Sequence, residues 1–225
     1  MGYCCGVFGC CVCGHFSPHF YFYFFLCIFV SETYAIEDCF DTILGTSEQL
    51  SKFSSSIGLR NNGSGTISYD STNHYYKWQI TTNNSESMIP INNATGHDDF
   101  IIEFDGYQNA PQSACGITLY KDTNNWDRLS ISNATSTIAK KVNGTFTETE
   151  SSITSVTSKW LHYKYIISNN TFTKQVYDGD TLINTVTETL DSSWFSSTTK
   201  YGIPIVWNSV WSNQTFLKNF KIKPL

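Results

Sequence analysis

Glu103 and Asp105 stand two positions apart in the run Asp99-Phe-Ile-Ile-Glu-Phe-Asp. Two carboxyl groups about 5 Å apart are what a retaining glycosidase needs, one as nucleophile and one as acid/base. On a strand, positions i and i+2 share a face, so the two acids would point the same way. Gly106, Tyr107 and Gln108 follow. A glutamine cannot hand a proton to a leaving group. The same residues also read as plain alternation, with Ile102 and Phe104 turned inward and Glu103 and Asp105 outward.

Sugar binding is the second chemistry the residues could support. It needs aromatic faces beside amide or carboxylate hydrogen-bonding groups. Trp126 with its neighbour Asn125, Tyr107, and the pair Trp207 and Trp211 are the candidates. Trp78 and Trp160 lie inside apolar runs and are expected in the core, where such rings dominate sandwich packing. Calcium would need six to eight oxygens, and Asp98, Asp99, Asp122, Asp178 and Asp180 are loop acids able to supply some. Asp178-Gly179-Asp180 also reads as a simple hairpin turn, and EF-hand spacing is absent. His15, His19, His74, His97 and His162 are scattered, and neither a G-x-S-x-G nor a nucleotide-binding glycine pattern occurs. The residues call for no cofactor.

Strands must position these groups. Short apolar or alternating runs recur at roughly 8 to 12 residue spacing, divided by Asn, Gly, Asp and Ser clusters. Strands are expected at 66–70, 74–81, 99–107, 116–121, 128–132, 137–142, 145–150, 160–168, 171–177, 181–187, 201–207 and 215–223. A short element is expected near 50–54 and a helical turn near 191–195. Asn169-Asn170 and Asp178-Gly179 join three sequential strands into a meander, since Asn and Gly adopt the left-handed turn conformation. About twelve strands exceed an immunoglobulin domain and fit an all-β, two-sheet antiparallel jelly-roll sandwich.

Residues 40–225 resemble the concanavalin A-like lectin/glucanase superfamily, laminin-G-like domains included. Four stretches carry the likeness: Asp99-Phe-Ile-Ile-Glu-Phe-Asp; Gly116-Ile-Thr-Leu-Tyr-Lys-Asp with Asn125-Trp-Asp-Arg-Leu-Ser-Ile; the meander from Trp160 through Ile183; and Phe216-Leu-Lys-Asn-Phe-Lys-Ile. The resemblance implies a carbohydrate-binding or adhesion module, with calcium as an occasional brace. Its glucanase branch places a further Glu two or three positions after the Glu-x-Asp pair. This chain lacks that Glu, which turns the reading toward a non-catalytic domain. A glycoside hydrolase or lyase built from other acids, and a purely structural domain, are the alternatives.

Residues 1–31 carry no Asp, Glu, Lys or Arg and hold six of the eight cysteines. The eleven apolar residues from Phe20 to Val30 match a signal-peptide core and are about half a bilayer span. Thr33 and Ala35 suit cleavage after Ala35, although no basic residue precedes the run. A membrane anchor and a mis-called start are the other readings. The cysteines lack zinc-site C-x-x-C spacing, and Gly6 replaces the Ser or Thr of a myristoylation signal. The expected division is therefore a leader, 1–35, and a sandwich domain, 36–225, secreted or on a cell or virus surface. Cys39 and Cys115 would then remain, able to pair in an oxidising compartment.

Composition agrees. Ser, Thr and Asn make up nearly a third of the chain, and only 15% of residues are charged against roughly 25% ordinarily. The net charge of −5 argues against a nucleic-acid partner. Seven N-x-S/T sequons begin at Asn62, Asn83, Asn93, Asn133, Asn143, Asn169 and Asn213, mostly in expected turns. The partner expected is a glycan or surface polysaccharide, with further domains of a larger surface protein an added expectation.

Overall fold

The computed structural model describes residues 50, 52–80, 85–95, 99–109, 114–156, 158–206 and 214–225. The expected leader, Cys39, Trp207 and Trp211 lie outside them. The described residues form strands β1 (Ile57–Arg60), β2 (Gly65–Asp70), β3 (Tyr75–Ile80), β4 (Glu86–Thr95), β5 (Phe100–Gln108), β6 (Ala114–Asp122) and β7 (Asn125–Ser132). They continue with β8 (Thr135–Val142), β9 (Thr145–Ser152), β10 (Trp160–Ser168), β11 (Thr171–Asp178), β12 (Thr181–Thr189), β13 (Lys200–Val206) and β14 (Gln214–Pro224). A 3-10 turn at Ser192–Trp194 falls where the helical turn is expected.

All twelve expected strands form, and β1 and β4 are additional. Both escaped a pattern reading for a physical reason. Strand β4 contains Pro90, which cannot donate to a ladder. It is accommodated where the β4–β13 register breaks between Lys200 and Gly202. Strand β1 is four residues long and itself broken by a register shift.

The strands make two antiparallel seven-stranded sheets. Sheet I runs β1-β4-β13-β6-β7-β8-β9, and sheet II runs β12-β11-β10-β5-β14-β3-β2. The expected meander β10-β11-β12 forms one end of sheet II. Its first turn uses Asn169 and Asn170 at φ +49° and +61°, the left-handed region asparagine tolerates.

Alternation assigns the faces of sheet II. Leu161, Tyr163, Tyr165 and Ile167 of β10 are buried, as are Phe100, Ile102 and Phe104 of β5. Phe104 stacks with Tyr163 and Phe220 at 5.1 and 5.3 Å between centroids. Sheet I answers with Cys115, Ile117, Leu119, Leu129, Ile131 and Ile203 in the same core. Burying a side chain of this size contributes roughly 1.5–3 kcal/mol, so this layer holds the sandwich together. The layers pack tightly at Gly106, where an added Cβ would fall against Cys115 Sγ and Tyr163. Cys115 is buried, and burial pushes its thiol pKa up; Cys39, its expected partner, lies outside the described residues.

One end of the interior is polar. Lys174 Nζ donates to Ser130 O and Ser136 Oγ, both at 2.8 Å. Nearby, Lys140 on β8 bridges to Glu188 on β12 at 2.7 Å. Asp127 is fully buried and neither carboxylate oxygen has a hydrogen-bond partner. Burial, with the Glu188 charge adding to it, pushes Asp127 up to about 7. Burial also lowers Lys174 to about 7, assisted by the Arg128 charge.

Candidate functional site

The two outer faces of the sandwich differ. On sheet I the outward positions of β4, β7 and β9 carry an ion network built on a buried pair. Arg128 pairs with Glu86 and reaches Glu148 at 3.0 Å; Arg128 and Glu86 are almost wholly buried. Arg60 adds a contact to Glu86 at 3.8 Å and lies 4.9 Å over the Phe146 ring. Burial pushes the Glu86 carboxyl up, opposed by Arg128 and then Arg60. Trp126 belongs to this layer. Its ring is 0% exposed, packs 5.8 Å from Phe146 and clusters with Leu59, Met88 and Ala139. A ring so covered presents no stacking face. Asn125 is likewise engaged: its Nδ2 donates to both Asp122 oxygens (3.0 and 3.1 Å) and its Oδ1 accepts from Asn143 N. Asn125 therefore braces the β6–β7 and β8–β9 turns.

The outer face of sheet II presents rings instead. Tyr107, on β5, faces Trp160 on β10 and Phe216 on β14 as its direct cross-strand partners. The ring centroids stand 5.5 and 5.9 Å from Tyr107. Tyr75 of β3 closes the group, 4.8 Å from Phe216 and 6.2 Å from Trp160. All four rings are partly exposed. Trp160 thus departs from the core position expected of it. The residues with which it alternates, Leu161, Tyr163, Tyr165 and Ile167, take the inward face, and Trp160 shares the outward one with His162 and Lys164. Trp78 is fully buried, as expected.

A polar row borders the rings one alternation further along the strands. His162 Nδ1 lies 3.0 Å from Asp105 Oδ1, and Asn219 Nδ2 donates to Asp105 Oδ2 at 2.6 Å. Asn219 has φ +53° at the point where the β14 register shifts, a bulge that re-aims its side chain. Burial would raise the Asp105 pKa. Hydrogen bonds from His162 and Asn219, with the His162 and Lys218 charges, outweigh it and hold the carboxyl below its ordinary value. Lys218 Nζ sits 4.2 Å above the Trp160 ring, within cation–π range. Beyond this row Glu103 is paired with Lys223 at 3.1 Å. Glu103 and Asp105 do point outward, each with partners of its own.

Of the residues expected to bind ligand, Tyr107 joins this face, and Asn125 and Trp126 lie on the other sheet. Trp160, Phe216, Tyr75, His162 and Asn219 were not anticipated, while Asp105 was expected outward only as part of a carboxyl pair with Glu103. Period-two alternation in Trp160-Leu-His-Tyr-Lys-Tyr could have placed Trp160 outward. The meeting of Asp105 with His162 depends on pairing between strands 57 residues apart. Among the described residues no three His, Cys, Asp or Glu side chains gather where they could hold a metal ion.

No protein-family model matches the chain, and no curated protein sequence matches it. Solved structures do. A carbohydrate-binding module of type CBM66 from Bacillus subtilis superposes with TM-score 0.50 at 16% identity, covering 76% of this chain and 96% of that one. A xylan β-1,4-xylosidase from Bacillus halodurans C-125 gives 0.55 at 16% identity, over 67% of this chain and 33% of that one. A functionally unknown protein from Saccharomyces cerevisiae gives 0.54 at 12% identity, over 78% and 98%. The chain therefore has the jelly-roll, concanavalin A-like β-sandwich fold. At these identities the likeness is one of fold.

Proposed function

We propose that this domain is a non-catalytic carbohydrate-binding module that receives its glycan on the outer face of sheet II. The observation that carries the reading is the partly exposed aromatic group of Tyr75, Tyr107, Trp160 and Phe216. Aromatic faces pack against the apolar faces of sugar rings, and the adjacent Asp105, His162 and Asn219 supply hydrogen bonds to hydroxyls. The CBM66 module, covered almost end to end by the same fold, supports this choice over a structural role. An extracytoplasmic setting, on a cell or virus surface, goes with it. Four of the sequon asparagines, Asn62, Asn133, Asn143 and Asn169, occupy left-handed turn positions, where an attached glycan is sterically tolerated.

A lyase or hydrolase is the second reading, favoured by the contact between His162 and Asp105 and by the Tyr177 ring 6.1 Å from His162. The test for both is one experiment. The full chain is titrated with a panel of plant, bacterial and algal oligosaccharides while tryptophan fluorescence and reducing ends are followed. A fluorescence change without new reducing ends, lost in Trp160→Ala, supports the binding module. Release of new ends moves the assignment to the enzyme. Silence across the panel overturns both.

A further inference from the structure

We infer that the glycan taken by this face is anionic, a polymer bearing carboxylate or sulfate groups; the inference rests on the binding-module reading above. The charge distribution carries it. The chain as a whole is acidic, at −5. Yet the outward positions of sheet II hold Lys77, Lys164, Lys218, Lys221 and Lys223, five of the fourteen Lys and Arg residues. The acids among them are already engaged. Glu103 is tied to Lys223, Asp105 to His162 and Asn219, and Asp70, at the end of edge strand β2, to the backbone N–H groups of Thr72 and Asn73. Lys77, Lys164, Lys218 and Lys221 make no ion pair among the described residues. A cationic face on an acidic protein concentrates anions at that face and speeds their capture.

Geometry narrows the anion to a sugar. Cross-strand pairing sets the face out in rows. The first is Trp160, Tyr107 and Phe216; the second is His162, Asp105 and Lys218; the third is Lys164, Glu103 and Lys221. Two alternations separate first from third, ~13 Å at strand rise, so one chain of several sugars would touch rings and ammonium groups together. Lys218 rests on the Trp160 ring itself. A sugar stacking on that ring displaces the ammonium sideways, where a ring carboxylate or sulfate would receive it. A neutral sugar would instead break the cation–π contact with no charged replacement.

The full chain is assayed by calorimetry against polygalacturonate, a neutral xylan and single-stranded DNA. Wild type is compared with Trp160→Ala and with Lys218→Gln/Lys221→Gln, each checked for its fold by circular dichroism. The expected result is at least about tenfold tighter binding of polygalacturonate than of xylan, weakened between about 20 and about 300 mM salt. The double lysine variant should lose about tenfold for polygalacturonate and leave xylan unchanged. Trp160→Ala should weaken both. Xylan bound as tightly as polygalacturonate overturns the anionic inference and leaves the binding module standing. DNA bound as tightly, with the same lysine dependence and no Trp160 dependence, replaces the glycan with a general polyanion. No binding of either glycan overturns both readings.

Discussion

Tyr107 and Trp160 are direct cross-strand partners on β5 and β10, and their ring centroids stand 5.5 Å apart on the outward face of sheet II. The pair is aromatic surface that the fold has not used for its own core. Removing the Trp160 ring should therefore weaken ligand far more than it weakens the fold. Trp160→Ala is expected to lower glycan affinity about tenfold or more, ~1.4 kcal/mol at least, with a thermal midpoint within a few degrees of wild type. Isothermal titration and a melting curve on the same sample check both halves. A collapsed midpoint would mean the ring is structural after all.

Gly106 makes the opposite case, a position where nothing can be added. Its missing side chain is where Cys115 Sγ and the Tyr163 ring of the facing layers meet. Gly106→Ala should overpack this layer and cost about 2 kcal/mol in urea unfolding. Adding Cys115→Ala opens room beside the new methyl group, so the double variant should recover part of the loss. Additive losses would show that the two sheets do not touch as described.

The pair Arg128 and Glu86 is buried on sheet I. Arg128→Met leaves the buried Glu86 carboxyl with Arg60, at 3.8 Å, as its remaining cationic partner. Loss of about 3–5 kcal/mol is expected. The companion variant Arg128→Met/Glu86→Gln removes the stranded charge and should regain stability. Chemical denaturation of the three proteins decides the matter.

Asp127 sets a pH dependence whose sign can be worked out. Its native pKa is near 7, above the ordinary 3.8, so between these values the native state holds a proton that the unfolded chain has released. Stability contributed by that proton is full at low pH and falls as pH rises toward 7. Lys174, lowered from 10.5 to about 7, acts in the next window: its contribution grows as pH rises from 7 toward 10.5. Asp127→Asn should therefore raise the midpoint by several degrees at pH 8, change it little at pH 4, and flatten the profile between. Melting curves across this range test it; an unchanged profile would place the charge elsewhere, with Glu188, Lys140 or Arg128.

The sandwich was legible in the sequence because most of its strands announce themselves locally. Trp160 through Thr187 is bounded by Asn169-Asn170 and Asp178-Gly179, and both turns form where these residues stand. Strand β4 was not legible, because Pro90 argues against a strand unless the partner ladder is already irregular at that point. Of the candidate site, Tyr107 and the outward Asp105 were legible. Asn125 beside Trp126 looks like an exposed loop pair, yet the hairpins around it fold the amide into turns and the ring under Phe146. Neither fact is local. The convergence of Tyr107, Trp160 and Phe216 is set by β5 lying between β10 and β14, a strand order that no run of neighbours encodes.

Strand β9 ends sheet I, and all of its residues except Phe146 are exposed. Among the described residues no strand pairs with its outer edge, and such an edge would be a template for a second copy of the sandwich. Glu148 and Glu150 stand along that edge amid threonine and serine, and a sibling edge would bring the same carboxylates against them. Like-charge repulsion at the margin then blocks the growth of one sheet into another. The glutamic acids of this hairpin thereby guard the sheet margin against pairing with a second copy.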